Sequence, residues 1–235
     1  ILYFHEPYSL RERLEGVNER RQKCRSLLEH LYLKVLLLLV NRVIVDNENA
    51  LLRFYEFSSF SFIDVFVAGL LFPNNLRECY DPVTSKSSCL LLGRLNSNRS
   101  LVDYLAVSKH LGLTASLATS QDVSDPGNVK ILNQGRKFSE IEKLDWIEST
   151  RYVYSYFRGR YNQSGVVKEA LYNKREVIIS INDPYIIPVR LYKLGIIVSL
   201  EDNSFYYSEE NHVSDWHGFY KYLEVEKMLW QKALQ

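Results

Sequence analysis

Apolar positions in this chain fall into a few dense runs separated by short polar breaks, and the spacing inside the runs predicts helices over the first half. Between residues 8 and 31, Leu14, Val17, Cys24, Leu27, Leu28 and Leu31 recur at near-helical intervals among Arg and Glu. Ser9 with Glu12 has the spacing of a capping box at the start of this helix. The run "LYLKVLLLLVNRVIV", residues 31–45, continues it to Val45 or restarts it after a bend. "DNEN", residues 46–49, breaks the pattern and caps "ALLRFYEF".

The stretch "FSFIDVFVAGLLF", residues 60–72, reads as a further helix start. Ser61 is placed as N-cap, with Asp64 three residues on as its reciprocal partner at the positive end of the helix dipole. Phe60 and Val65 are spaced as a hydrophobic staple. Ile63 to Phe72 is apolar nearly all round, so a buried central helix is expected, stopped by Pro73 and the Asn74-Asn75 pair. On this reading Ser61 and Asp64 are structural caps and neither is catalytic.

A Ser-x-x-Asp cap opening a buried helix after longer helices resembles the all-helical C-terminal domain of glutathione transferases and metaxins. Downstream, "LLLGRLNSNRSLVDYLAVSKHL", residues 90–111, is similar to the stretch that follows in that family, with Asn98, Leu101 and Tyr104 at the opening of the next helix, although the family's proline is missing and the spacing is longer. The resemblance covers residues 10–111 and implies a helical bundle. Transferase activity is not implied, because the thioredoxin-like domain that binds glutathione in the family has no counterpart in this stretch.

Residues 112–137 change character: Ser, Thr, Asn, Asp and Gly dominate around "DPG", which predicts a linker or long surface loop. Helical spacing returns over 138–161, with Ser139 and Glu142 as a capping box and Ile141, Leu144, Trp146, Ile147 and Tyr154 as the apolar face. "REVIISI", residues 175–181, is a β-branched run. Residues 188–202 turn apolar before a hairpin at 202–204 that leads into "FYYSE". Ser214-Asp215 caps a final helix over 216–234 whose buried positions are Phe219, Leu223, Met228 and Leu229. The expected fold is therefore mainly α with a small α+β C-terminal part, a helical bundle plus a two- or three-stranded antiparallel sheet. Its expected divisions are 1–111, a linker at 112–137, and an extension at 138–235.

Composition excludes more than it assigns. The 29 Lys and Arg nearly balance 28 Asp and Glu, so there is no global field for nucleic acid or an anionic membrane. The charge is uneven: ten bases against five acids over 130–175, five against nine over 176–235, which favours more than one contact surface. Cys24, Cys79 and Cys89 form no CxxC pair, which suits a reducing compartment. His212 and His217 flank Asp215 with no third metal ligand nearby in sequence. The run at 31–45 falls short of the ~20 apolar residues of a membrane span. A peripheral membrane contact is the most it allows.

No phosphate-loop, dinucleotide, zinc-protease or serine-hydrolase motif occurs, and no metal or organic cofactor is expected. The densest binding signal is "RYVYSYFRGRY", residues 151–161. There Arg151, Arg158 and Arg160 interleave with Tyr152, Tyr154, Tyr156, Phe157 and Tyr161 around Gly159. Arg supplies phosphate contacts and the rings supply stacking platforms, and the same residue types anchor protein interfaces. The function these features predict is a non-catalytic structural subunit, bound to other protein subunits of a larger assembly. The family resemblance implies a mitochondrial setting. The alternatives are an RNA-contacting protein of a ribonucleoprotein particle and a degenerate glutathione-transferase-like enzyme.

Overall fold

The apolar run Cys89–Leu92 ends at Gly93, and all four of its residues are buried. A segment this short, covered on both faces, is a strand of a parallel sheet rather than part of a helix. This is the arrangement in the computed structural model, which describes residues 2–4, 19–45, 51, 54–55, 63–67, 88–96, 99–123, 127–133, 135–156, 165–181, 183–200, 205–206 and 213–234. The chain forms two compact units, one built mainly on Ile1–Pro73 and Tyr220–Gln235, the other mainly on Asn74–Gly159 and Gln163–Phe219.

The first unit holds β1 (Leu2–Phe4), α1 (Glu19–Leu38), β2 (Arg42–Val45) and β3 (Asp64–Val67). The three strands form a parallel sheet in the order β1-β2-β3. Leu37, Val43, Val45, Phe54 and Ile63 make its core, with Leu33 and Val40 packed against them. The expected helix over 63–72 is corrected at its start, and residues 68–72 lie outside the described residues. Asp64–Val67 is a strand paired with Arg42–Val45, and Asp64 is exposed on it; Ser61 lies outside the described residues. The β-branched and aromatic residues Val65, Phe66 and Val67 favour a pleated surface once a neighbouring strand is present. The apolar stripe expected on the first helix also differs. Leu27, Leu28 and Leu31 are exposed, because the helix turns Leu33 and Leu37 to the core instead.

The second unit carries β4 (Ser88–Leu92), α2 (Leu101–His110), β5 (Thr114–Ala118), β6 (Lys130–Ile131), α3 (Glu140–Glu148), β7 (Tyr152–Ser155), α4 (Gly165–Tyr172), β8 (Glu176–Ser180), α5 (Ile186–Leu191), β9 (Gly195–Val198) and β10 (Phe205–Tyr206). The last helix, α6 (Trp216–Leu234), begins in this unit. The sheet order is β10-β9-β8-β7-β4-β5-β6, six parallel strands with β10 antiparallel at one edge. One face is filled by Cys89, Leu91, Ala115, Leu117, Tyr152, Tyr154, Ile178, Ile196 and Val198, under Tyr104 and Val107 of α2. The alternate residues Leu90, Leu92, Val153, Val177 and Ile179 are equally buried.

This α/β architecture overturns the mainly helical class with an antiparallel sheet, and with it the glutathione-transferase and metaxin resemblance. The stretch expected as a loop, 112–137, contains β5 and β6. The helix expected over 138–161 ends at Glu148, where Ser149 and Thr150 lead into β7. Other local readings agree with the structure. Ser139 and Glu142 form the capping box, β8 falls within 175–181, β9 and β10 pair antiparallel on either side of the expected turn at 202–204, which lies outside the described residues, and Asp215 Oδ1 accepts from the Gly218 N–H at 2.8 Å at the start of α6. Phe219 and Leu223 of that helix are buried, but Met228 and Leu229 are exposed and Trp230 is buried in their place.

Candidate functional site

Chain order places a site before any side chain does. After β4 the chain steps to β5 and β6 on one side, then returns to lay β7, β8 and β9 on the other side of β4. The connections leave β4 and β7 in opposite directions along the sheet, so a crevice opens beyond their C-terminal ends. In open parallel sheets ligands bind at this reversal of strand order.

The described part of the loop from β4 to α2, Gly93–Asn96 with Arg99 and Ser100, follows the C-terminal end of β4. Gly93 has φ +104°, a conformation that favours glycine, and a Cβ there would stand 3.0 Å from Arg99 Nη1. Arg99 is 4% exposed. Its Nη2 donates to the Tyr154 carbonyl of β7 at 3.1 Å, tying the loop across the reversal point. The backbone around Arg99 is folded by Asn96, whose Oδ1 accepts from the Arg99 N–H at 2.9 Å. Ser100 then caps α2, its hydroxyl oxygen accepting from the Val102 and Asp103 N–H groups. Arg94, next to Gly93 just past the end of β4, is exposed.

On the β5 side the wall is Thr119 and Gln121. Thr119 N–H donates to Asn133 Oδ1 at 3.1 Å, and Asn133 Nδ2 returns a bond to the Thr119 carbonyl at 2.8 Å. On the other side Ser155, Ser180 and Ser199 stand at or just past the ends of β7, β8 and β9, all buried. Asp183 follows β8, and its Oδ1 accepts from the Tyr185 N–H at 2.9 Å. Small hydroxyls and amides at or just past the ends of β5, β6, β7, β8 and β9, with the exposed guanidinium of Arg94 past β4, make a polar edge suited to an anionic ligand. Among the described residues no group of His, Cys, Asp and Glu is placed to hold a metal ion.

The residues that sequence singled out are dispersed. Arg151 lies at the opposite, N-terminal end of β7, where its Nε donates to Glu176 Oε2 at 3.1 Å and its guanidinium sits 4.7 Å from the Tyr152 ring centre. Tyr154 and Tyr156 are buried in the α2-side core, with ring centres 6.3 Å apart. Burial pushes the Tyr154 hydroxyl well above the ordinary tyrosine range. Phe157, Arg158, Arg160 and Tyr161 lie outside the described residues, as does Ser61; Asp64 is on β3 of the other unit. Sequence reasoning passed over Gly93, Arg94 and Arg99. The signal was present: four apolar residues, a glycine, an Asn/Ser-rich turn and a serine cap are the marks of strand, loop and helix in succession.

No family model and no curated protein matches the chain. Among the solved structures that resemble it are two glycosyltransferases. One is WaaG, a glycosyltransferase involved in lipopolysaccharide biosynthesis, at 12% identity and a TM-score of 0.42, covering 78% of this chain and 53% of that one. The other is the glycotransferase of kitacinnamycin, at 12% identity and a TM-score of 0.38, covering 88% and 56%. The chain spans about half the length of either. Both neighbours are enzymes, where a non-catalytic, metaxin-like subunit and no enzyme were expected. A likeness this loose assigns no residue in the crevice.

Proposed function

We propose that the seven-stranded unit is the nucleotide-binding part of a group-transfer enzyme. Its crevice takes the phosphates of a nucleoside diphosphate, and the group carried is a glycosyl residue. The reversal of strand order between β4 and β7, with Arg94 exposed on the loop above it, carries the reading. A guanidinium pairs with phosphate through parallel N–H donors and keeps its charge at any working pH.

A dinucleotide-dependent oxidoreductase fits less well. That fold's first loop has three glycines and its second strand is followed by an acidic residue that holds the ribose. Here the loop from Gly93 to Ser100 has one glycine, and β5 is followed by Thr119, Ser120 and Gln121.

Calorimetry with UDP, ADP and NAD tests the nucleotide half. The diphosphates should bind and NAD should not. Arg94→Ala should weaken diphosphate binding by roughly 10- to 100-fold, the worth of one or two charge-assisted bonds. Unchanged binding in Arg94→Ala, or no binding by the wild-type chain, refutes it. Release of UDP from UDP-sugars in the presence of the full-length protein tests the glycosyl half.

A further inference from the structure

Arg94 is held from both sides by the end of β5. Before it, the Gly93 N–H donates to the Ala118 carbonyl at 2.8 Å, a main-chain contact that any sequence could make. After it, the Leu95 N–H donates to Gln121 Oε1 at 2.5 Å, across 26 residues of sequence. That second tie depends on one side chain. Gln121 is itself fixed: its own N–H donates to Thr119 Oγ1 at 3.2 Å, and Thr119 is locked to Asn133 in both directions. Asn133 is 1% exposed and also donates to the Arg136 carbonyl. Gly135, at φ +77°, lets the chain turn beside the Gln121 carbonyl, 3.6 Å from where a Cβ would stand.

We propose that Gln121 is a positioning residue that sets the backbone on which Arg94 is presented to an anionic ligand, without touching the ligand itself. The proposal rests on the reading of the crevice given above. Its physical basis is preorganisation: a loop already held in its binding conformation does not lose that freedom when the ligand arrives. Gln121 also occupies the place after β5 where an acidic side chain would meet a ribose in a dinucleotide fold, and its side-chain oxygen Oε1 accepts from the Leu95 N–H instead.

The test compares Gln121→Leu, which removes the acceptor, with Gln121→Glu, which keeps an acceptor oxygen. Amide exchange followed by NMR reads the loop without ligand. Exchange at Leu95 should quicken in Gln121→Leu, stay slow in Gln121→Glu, and leave Leu91 and Leu117 unchanged in both. UDP affinity should fall roughly 3- to 10-fold in Gln121→Leu, the worth of one hydrogen bond. Combined with Arg94→Ala, Gln121→Leu should add little further loss, because it acts through that residue. A Leu95 amide that exchanges at the wild-type rate in Gln121→Leu overturns the proposal. So does a UDP loss that is undiminished in the Arg94→Ala background. If the wild-type chain does not bind UDP, the reading of the crevice falls, and the Leu95 exchange rate still decides whether Gln121 holds the loop.

Discussion

Replacing Tyr104 by Phe isolates one hydroxyl at the centre of the larger sheet. The Tyr104 side chain is fully buried on α2, its ring 5.0 Å from that of Tyr154. Its oxygen lies 2.7 Å from the Cys89 carbonyl of β4 and 2.9 Å from the Ser116 carbonyl of β5, and it accepts from the Ser116 N–H at 3.0 Å. One hydroxyl proton serves one carbonyl fully at a time, so the substitution removes about two net bonds, worth ~1 kcal/mol each. It also leaves a buried main-chain amide and a carbonyl without that partner, a penalty of ~1–3 kcal/mol when the strands cannot close up. The ring is retained, so packing is little changed. The expected loss is about 2–5 kcal/mol, a fall in Tm of ~4–20 °C for a chain of this size. Urea melts should show a lower midpoint with an unchanged slope, because the surface exposed on unfolding is the same. A midpoint within error of wild type would refute the placement of the hydroxyl between β4 and β5, and with it the seating of α2 on the sheet.

Two further outcomes follow from buried groups in the same unit. Gly195→Ala should destabilise by at least ~1–3 kcal/mol, because a Cβ there would stand 1.9 Å from the Val177 carbonyl oxygen of the paired strand; a wild-type melt would mean that β8 and β9 are not in this register. Cys89 is fully buried, and burial pushes its thiol up to about 12 from about 9. The folded-state value is the higher one, so its contribution to stability is complete below pH 9 and is lost as pH rises from 9 towards 12. Alkylation at pH 8, mapped by peptide mass, should leave Cys89 unmodified in folded protein and modify it in urea; equal rates in both would contradict its burial.

What the sequence determined by itself was local. A serine hydroxyl and a glutamate at the right spacing form the Ser139–Glu142 box whatever packs around them, because the bonds close within four residues. The same holds for the Asp215 cap of α6, and the β-branched run that becomes β8 was legible from its residue types alone. Tertiary structure decided the rest. In β4 and β7 every residue from Cys89 to Leu92 and from Tyr152 to Ser155 is buried, so neither strand alternates. An apolar run without alternation satisfies a buried helix as well as a buried strand, and only a parallel neighbour on each side settles which. "DVFV" became β3 because Arg42–Val45 lies beside it, a partner about twenty residues away that capping rules do not see. The candidate site was least visible of all. Gly93, Arg94, Arg99 and Gln121 carry no motif spacing. They come together because the chain reverses its strand order between β4 and β7 and then ties the loop above that point to Tyr154 on one side and to Gln121 on the other.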